Sequence, residues 1–223
     1  MTIVLGLIGG LGLFLYGMKL MSDGLEKAAG AKLRNILEFF TKNKFSGMLV
    51  GIFFTAIIQS SSASTVMVVS FVNAGLMNLY QAAGIIFGAN IGTTVTSQLV
   101  AFDLSEIAPL FLMGGVIMVM FMKNPTIKKA GEVVLGFGIL FTGLTTMSSS
   151  MSVLRDSPAI VNILGNLTNP LLGVLVGFII TAILQSSSVT VSIVLLMAAQ
   201  GLLPLEICFF IILGCNMGSC VSA

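Results

Sequence analysis

Long apolar runs without charge constrain the fold of this chain more than any other feature. No charged residue occurs between residues 45 and 102, and only Glu206 occurs between 170 and 223. Hydrophobic residues make up 57% of the chain and charged residues 8%, which excludes an ordinary soluble domain. Apolar runs of about 20 residues can cross a hydrocarbon core of roughly 30 Å, and in lipid they must be helical. Since the runs lack the period of two that marks barrel strands, we expect an all-α polytopic membrane protein.

Two identical polar motifs interrupt these runs. Gln59-Ser60-Ser61-Ser62 follows a run of about 15 apolar residues, and Gln185-Ser186-Ser187-Ser188 stands in the same setting 126 positions later. A helix of 15 residues is only about 22 Å long, too short to span comfortably. Consecutive polar residues at membrane depth are costly unless they face a polar partner. Each motif is therefore predicted to be the tip of a re-entrant hairpin buried within protein.

The motifs belong to a longer internal duplication. A shift of 126 positions aligns residues 43–97 with 169–223 without a gap, and 22 of these 55 pairs are identical. We therefore predict two units, 1–126 and 127–223. The first unit would contain three crossings besides its hairpin, at 3–21, 79–102 and 107–122. An odd number of crossings makes the second unit enter from the opposite side, so the repeats are predicted to be inverted.

A glycine–asparagine pattern follows each hairpin. Residues 88–94 read Gly-Ala-Asn-Ile-Gly-Thr-Thr, and residues 214–219 read Gly-Cys-Asn-Met-Gly-Ser. Two glycines around an asparagine weaken a helix. Each segment is therefore predicted to be an unwound point in a broken transmembrane helix.

The distribution of charge gives the expected orientation. Residues 22–44 read as an amphipathic interfacial segment, and the segments 19–44 and 123–129 together hold nine of the ten Lys and Arg residues. The opposite face would hold Asp103, Glu106 and residues 150–168. By the positive-inside rule, 19–44 and 123–129 are predicted to be cytoplasmic loops of a multi-pass inner-membrane protein. The first apolar run is interpreted as a retained helix because it lacks the features of a cleaved signal.

The motifs favour an anionic ligand accompanied by cations. Helix N-termini at the two tips would offer N–H groups and partial positive charge, and serine hydroxyls add further donors. A divalent anion would carry a large desolvation cost here, because Lys and Arg are absent from both motif segments. Sodium ions held by hydroxyl, amide and carbonyl oxygens would offset that cost. Proton coupling is disfavoured, since the chain has no His and Glu206 is better interpreted as an interfacial cap.

At the paired Gln-Ser-Ser-Ser motifs and the glycine–asparagine segments, the sequence resembles the type II sodium-dependent phosphate cotransporter family, including its bacterial members. The resemblance implies sodium-coupled symport of inorganic phosphate by alternating access, with no cofactor other than sodium. It assigns phosphate binding to Ser60, Ser61, Ser62, Ser186, Ser187, Ser188, Asn90 and Asn216. It assigns sodium binding to Gln59, Thr65, Thr93, Thr94, Gln185, Thr190 and Ser219. The chain departs from the family in being short, because bacterial members often continue into more helices and a cytoplasmic helical domain.

Other functions stay open at this point. The same scaffold would suit a carrier of another oxyanion, such as sulfate or a dicarboxylate, or a phosphate sensor in the membrane that moves no solute. A serine hydrolase is disfavoured because no His is present and neither motif segment contains Lys as a base. The helix equivalent to 107–122 would fall at about 233–248, so we expect either a truncated chain or a homodimer that completes itself. The expected partners are phosphate, sodium and the lipid bilayer, with no nucleic acid.

Overall fold

The computed structural model describes residues 2–39, 43–102, 104–155 and 169–222, and within these ranges the chain is helical without β-strands. The helices are α1 (Thr2–Phe39), α2 (Lys44–Ile58), α3 (Ser61–Asn73), α4 (Leu79–Ala101), α5 (Ala108–Phe121), α6 (Pro125–Arg155), α7 (Pro170–Leu184), α8 (Ser187–Ala199) and α9 (Leu205–Ser219). Short 3₁₀ turns occupy Leu104–Ile107 and Cys220–Ser222. Three stretches are long and apolar enough to cross a membrane, Ile3–Ala28, Leu104–Phe121 and Pro125–Leu154. The prediction of an all-α protein with membrane-spanning helices is confirmed.

Helices α1 and α6 form the centre of the fold and run antiparallel. A β-carbon added at Gly10 would lie 2.9 Å from the carbonyl oxygen of Gly143, and one at Gly17 would lie 2.7 Å from that of Gly136. Such close approach of two backbones requires glycine at the contact. The main hydrophobic core, which includes the fully buried Phe141, lies around this contact.

The remaining helices repeat at the spacing of the sequence duplication. Helices α2, α3 and α4 begin at residues 44, 61 and 79, and α7, α8 and α9 begin at 170, 187 and 205. Helix α2 packs against α4 in the same way as α7 packs against α9. Helices α3 and α8 both end at a left-handed glycine, Gly75 with φ +70° and Gly201 with φ +69°. Glycine adopts this conformation without steric cost, which explains why both helices stop there.

Helix α1 is longer than the sequence predicts. The predicted boundary between a span at 3–21 and a separate segment at 22–44 is wrong, because one helix covers most of both. The interfacial position of residues 22–44 stays a prediction. The apolar part of α1 reaches Ala28. The close packing on α6 continues past residue 21, since a β-carbon at Gly24 would lie 3.1 Å from the Lys129 carbonyl oxygen, and the Lys27 ammonium forms an exposed ion pair with the Glu132 carboxylate at 2.8 Å. Residues 40–42 of the predicted segment lie outside the described ranges.

The predicted breaks at 88–94 and 214–219 are also wrong, because α4 and α9 are continuous helices through them. The glycines there serve close packing instead. A β-carbon at Gly88 would overlap the carbonyl oxygen of Met48 on α2, and one at Gly214 would overlap a carbonyl of α7. Helical hydrogen bonds are kept, and the absence of a side chain lets the neighbouring backbones approach.

The other crossings agree with the sequence more closely. Helix α5 with its 3₁₀ turn matches the predicted crossing at 107–122, whereas α4 has 23 residues but is not among the three candidate spans.

The basic loop predicted at 123–129 is shorter than expected, because α6 already begins at Pro125, a favourable first residue for a helix. Helix α6 also takes in the start of the loop predicted at 150–168. Asp103 and residues 156–168 lie outside the described ranges.

Candidate functional site

The two motifs share an uncommon backbone conformation at their glutamines. Gln59 has φ 61° and ψ 22°, and Gln185 has φ 53° and ψ 27°. In the described part of the chain, these are the only non-glycine residues with positive φ. A left-handed conformation costs a residue with a side chain about 1–2 kcal/mol and persists only where its surroundings fix it. Both glutamines end a helix in this way, so the chain changes direction at the same point of each motif.

The first serine of each motif starts the next helix. Ser60 and Ser186 are extended, and their hydroxyl oxygens accept hydrogen bonds from the backbone N–H groups of Ala63 at 3.2 Å and Val189 at 3.5 Å. Serine is a favoured N-cap because it supplies an acceptor to this first turn. The arrangement of two short helices around each polar motif, which the sequence predicts, is therefore present. We call residues 59–62 tip 1 and residues 185–188 tip 2.

A buried pair of hydroxyls joins the two helices beside each tip. The hydroxyls of Thr55 and Ser64 are 2.8 Å apart, and that of Thr181 donates to that of Thr190 at 3.0 Å. All four side chains are buried. The counterpart of Thr190 is thus Ser64, whereas Thr65 donates its hydroxyl to the carbonyl four residues earlier in its own helix, at 2.8 Å. The hydroxyl pairs give each tip a fixed geometry.

Tip 1 is also held by a residue that the sequence analysis did not identify. The Thr96 hydroxyl on α4 donates a hydrogen bond to the side-chain oxygen of Gln59, while the Gln59 amide nitrogen donates to the Ala56 carbonyl. Thr96 is 1% exposed. The sequence shows only a threonine within an apolar run, which many helices contain, so it gives no specific signal for this contact. Tip 1 is therefore attached to α4 through its glutamine.

Both tips contribute to one open groove of about 600 Å³. Its lining consists of Ser62, Ala63, Val66, Met67, Ser70, Phe71 and Gln185. The groove follows α3 away from tip 1, and Gln185 of tip 2 stands on its other side. Ser60, Ser61 and Ser62 are partly exposed, whereas Ser187 and Ser188 are 8% and 4% exposed. The structure thus brings a serine of one motif and the glutamine of the other to the same groove.

The remaining predicted ligands lie on α4 and α9 and are not among the groove residues. Asn90 and Asn216 are both exposed. The hydroxyls of Thr93 and Thr94 donate to carbonyls of their own helix at 3.0 and 2.6 Å, and that of Ser219 donates to the Cys215 carbonyl at 3.0 Å. Their assignment to phosphate or sodium stays a prediction.

The polar groups of the groove and of the two motifs are neutral hydroxyls and amides. The lining contains hydroxyl and amide groups and no charged side chain. Among the described residues, no cluster of three His, Cys, Asp or Glu side chains would hold a metal ion. Hydroxyl, amide and carbonyl oxygens suit a hard cation, and helix N-termini with hydroxyl donors suit an oxyanion. The arrangement offers both kinds of partner at one place.

Known proteins resemble most of the chain. It is 31% identical over 213 residues to the "Uncharacterized protein YqeW" of Bacillus subtilis, covering 94% of this chain and 68% of that protein. It is 30% identical over 220 residues to the "Putative inorganic phosphate export protein YjbB" of Escherichia coli K12, covering 98% of this chain but only 40% of that protein. The rat "Sodium-dependent phosphate transport protein 2A" is 38% identical over 97 residues, covering 43% of this chain and 15% of its own length. No solved structure matches the chain.

One protein family covers nearly the whole sequence. The family described as "Na+/Pi-cotransporter" matches residues 13–149 and 154–223, which include both tips and the groove. The match extends well beyond half of the chain and agrees with the resemblance seen in the motifs. The matched family is one of transporters and not of enzymes. The chain belongs to the Na+/Pi-cotransporter family.

Proposed function

We propose that this protein carries inorganic phosphate across a membrane together with sodium ions. The observation that carries the proposal is the pair of equivalent tips, each with a left-handed glutamine and a serine-capped helix, which contribute Ser62 and Gln185 to one groove. The names of relatives support it, since one is named as a phosphate exporter and another as a sodium-dependent phosphate transport protein. A coupled carrier moves its substrate in either direction according to the gradients, so both names fit one mechanism.

The packing of α1 on α6 supports two inverted repeats, which we assign to residues 1–126 and 127–223. A shift of 126 positions converts Gly10 into Gly136 and Gly17 into Gly143. The contact of Gly10 with Gly143 therefore maps onto the contact of Gly136 with Gly17. Two antiparallel helices whose contacts exchange in this way are related by a two-fold axis perpendicular to both. For helices that cross a membrane, such an axis lies in the membrane plane and inverts the second unit.

The lengths of the tip helices support re-entrant hairpins. Helices α2 and α7 have 15 residues each, and α3 and α8 have 13 residues each. At about 1.5 Å per residue these helices are roughly 20–22 Å long, less than the hydrocarbon core of about 30 Å. A polar turn at that depth is tolerated only inside protein or beside water. Two hairpins that enter from opposite sides would therefore bring their tips together near the middle of the membrane.

The charge of the site supports sodium coupling. Phosphate carries between one and two negative charges near neutral pH, and burying an ion costs several kcal/mol unless it is compensated. The groove residues supply no cationic side chain. Sodium ions held by the hydroxyl, amide and carbonyl oxygens of the tips would supply that compensation. This feature favours sodium coupling over proton coupling, which normally requires an acidic or histidine side chain in the pathway.

We assign the basic ends of the crossings to the cytoplasmic side of an inner membrane. The predicted cytoplasmic segments 19–44 and 123–129 contain nearly all the Lys and Arg residues. The hydrogen bond from Lys129 to the Lys27 carbonyl joins the two segments, and the ion pair of Lys27 with Glu132 lies just beyond residue 129. Their proximity at one end of α1 and α6 supports placing both on the same face.

Ligand-dependent stabilisation of the purified protein tests this proposal. We expect phosphate in sodium buffer to raise the unfolding temperature, because a ligand that binds only the folded state stabilises it. Phosphate in potassium buffer is expected to have a much smaller effect, and sulfate or a dicarboxylate in sodium buffer is expected to have none. Equal stabilisation in both buffers would exclude sodium coupling, and equal stabilisation by sulfate would favour a carrier of another oxyanion.

A further inference from the structure

We propose that the groove along α3 is the open access path of this conformation, and that the equivalent face of α8 is a second path held closed by an apolar gate on α1 and α6. The proposal rests on the proposed transport function, because a carrier must open its site to one side at a time. It identifies the residues that close the gate. It also predicts that the two repeats exchange roles when the protein changes state.

Equivalent positions in the two repeats differ sharply in exposure. Val66 lines the groove and is 46% exposed, whereas its counterpart Ser192 is 1% exposed. Ala63 is exposed in the same groove, and its counterpart Val189 is 1% exposed. The difference therefore indicates that packing covers α8 where it leaves α3 open.

Three apolar side chains cover α8 at this position. Phe14 of α1 and Leu144 and Met147 of α6 pack against Ser192 and Ile193, and the gap between them has no room for a water molecule. The three covering side chains are 1%, 5% and 3% exposed. We call Phe14, Leu144 and Met147 the gate. A dry apolar contact blocks the passage of hydrated ions, since nothing in it replaces their water.

The polar groups of α8 do not hold the gate closed. The Ser192 hydroxyl donates to the Ser188 carbonyl of its own helix at 2.8 Å. Because this bond lies within α8, the helix can move away from the gate without breaking it. Opening then requires only that the apolar surfaces of α8 and of the gate separate and come into contact with water. A gate built in this way can open and close without a large cost in hydrogen bonds.

One hydrogen bond does fasten α8 to α6, and it differs between the repeats. The Gln200 amide nitrogen, just after α8, donates to the Ser148 hydroxyl at 2.9 Å. The counterparts are Ala74, which cannot form this bond, and Ser22, whose hydroxyl donates to the Ile58 carbonyl beside tip 1 at 2.6 Å. Of these equivalent serines, Ser148 binds the residue after α8, at the end far from tip 2, whereas Ser22 binds the carbonyl next to tip 1. The bond from Gln200 therefore fastens only α8, and α3 has no equivalent of it because Ala74 lacks an amide.

Thiol labelling tests the gate without using transport. We would introduce V66C and S192C separately into a C220S background, since Cys220 is the exposed native cysteine and Cys208 and Cys215 are buried. A polar maleimide should label V66C quickly and S192C at least tenfold more slowly in purified protein. The background without an added cysteine should label neither quickly. Equal rates for V66C and S192C would overturn the proposal.

A second change opens the gate. Combining S192C with Leu144→Ala, or with Gln200→Ala, is expected to raise its labelling rate at least fivefold. Leu140→Ala is the control, because it truncates a buried leucine of α6 one turn away from the gate. If neither gate variant accelerates labelling, or if Leu140→Ala accelerates it equally, the assignment is wrong. Labelling requires neither phosphate nor sodium, so this result is independent of the ligand-binding test.

Discussion

Ser62→Ala and Ser188→Ala are each expected to weaken phosphate binding and transport by roughly tenfold to hundredfold while the protein stays folded. The two serines occupy equivalent positions in the first turn of α3 and of α8. A hydrogen bond to a charged group contributes about 1.5–3 kcal/mol, and each 1.4 kcal/mol changes affinity about tenfold. Radiolabelled phosphate binding and uptake would measure the loss, and the unfolding temperature without ligand would show whether the fold is kept.

The same groove provides a matched control. Ser70 lines it together with Ser62, but its hydroxyl donates to the Val66 carbonyl of its own helix at 2.8 Å, two turns from the tip. Ser70→Ala should therefore leave phosphate affinity within about twofold of the unchanged protein, since surface substitutions away from a ligand have small effects. A loss confined to one repeat would contradict a site shared by both tips, whichever serine caused it.

Gly88→Ala and Gly214→Ala are expected to destabilise the protein strongly. A β-carbon at Gly88 would overlap the Met48 carbonyl oxygen, and one at Gly214 would overlap that of Val174. The obstructing atoms belong to the backbone, so a side-chain rotation cannot relieve the clash. Overpacking typically destabilises a protein by about 1–3 kcal/mol. Because each substitution forces two helices apart, we expect a loss of about 3 kcal/mol in the free energy of unfolding. Thermal unfolding in detergent would show the loss as a fall of several degrees.

Gly114→Ala separates this effect from the general effect of removing glycine from a helix. A β-carbon at Gly114 would meet no atom within 4 Å. Alanine has the higher helix propensity by about 0.8–1.0 kcal/mol, so this variant should be unchanged or slightly more stable. If Gly88→Ala matched Gly114→Ala in stability, the close contact of α2 with α4 would be incorrect. Phosphate affinity should also fall in Gly88→Ala, because α4 carries the threonine that holds Gln59.

The sequence predicted the helix pairs well because their signals are local. A polar motif after about 15 apolar residues has few interpretations in a membrane, and both motifs are flanked by helices of the expected length. The duplication was equally informative. It predicts that any structure found at residue 59 recurs at residue 185, and the left-handed glutamines show this.

The glycine–asparagine segments show where local reasoning fails. Glycine in a helix has two opposite consequences, since it weakens the isolated helix and permits close packing of two helices. Which of these two consequences dominates depends on the helix that packs against the glycine. For Gly88 of α4 that helix is α2, and the sequence of α4 alone does not identify it. The extension of α1 is not evident from its own sequence for the same reason, because the surface on which Gly24 packs belongs to α6.

The precise contacts of the tips were also beyond the sequence. The shift of 126 aligns Ser64 with Thr190, but it does not show that their hydroxyls form buried pairs with those of Thr55 and Thr181. Neither the contact of Thr96 with Gln59 nor the difference in exposure between the two tips follows from residue types. The two tips have identical sequences, and the different packing around them sets the difference in exposure.

Uptake of radiolabelled phosphate into proteoliposomes that contain the purified chain tests the central claim most directly. The measurement compares vesicles with an inward sodium gradient, with equal sodium on both sides, and with potassium in place of sodium. We expect phosphate to accumulate above its equilibrium level only with the gradient, and excess sulfate not to prevent it. Folded protein that binds phosphate but never accumulates it under a sodium gradient would contradict sodium-coupled transport by this chain and favour a sensor.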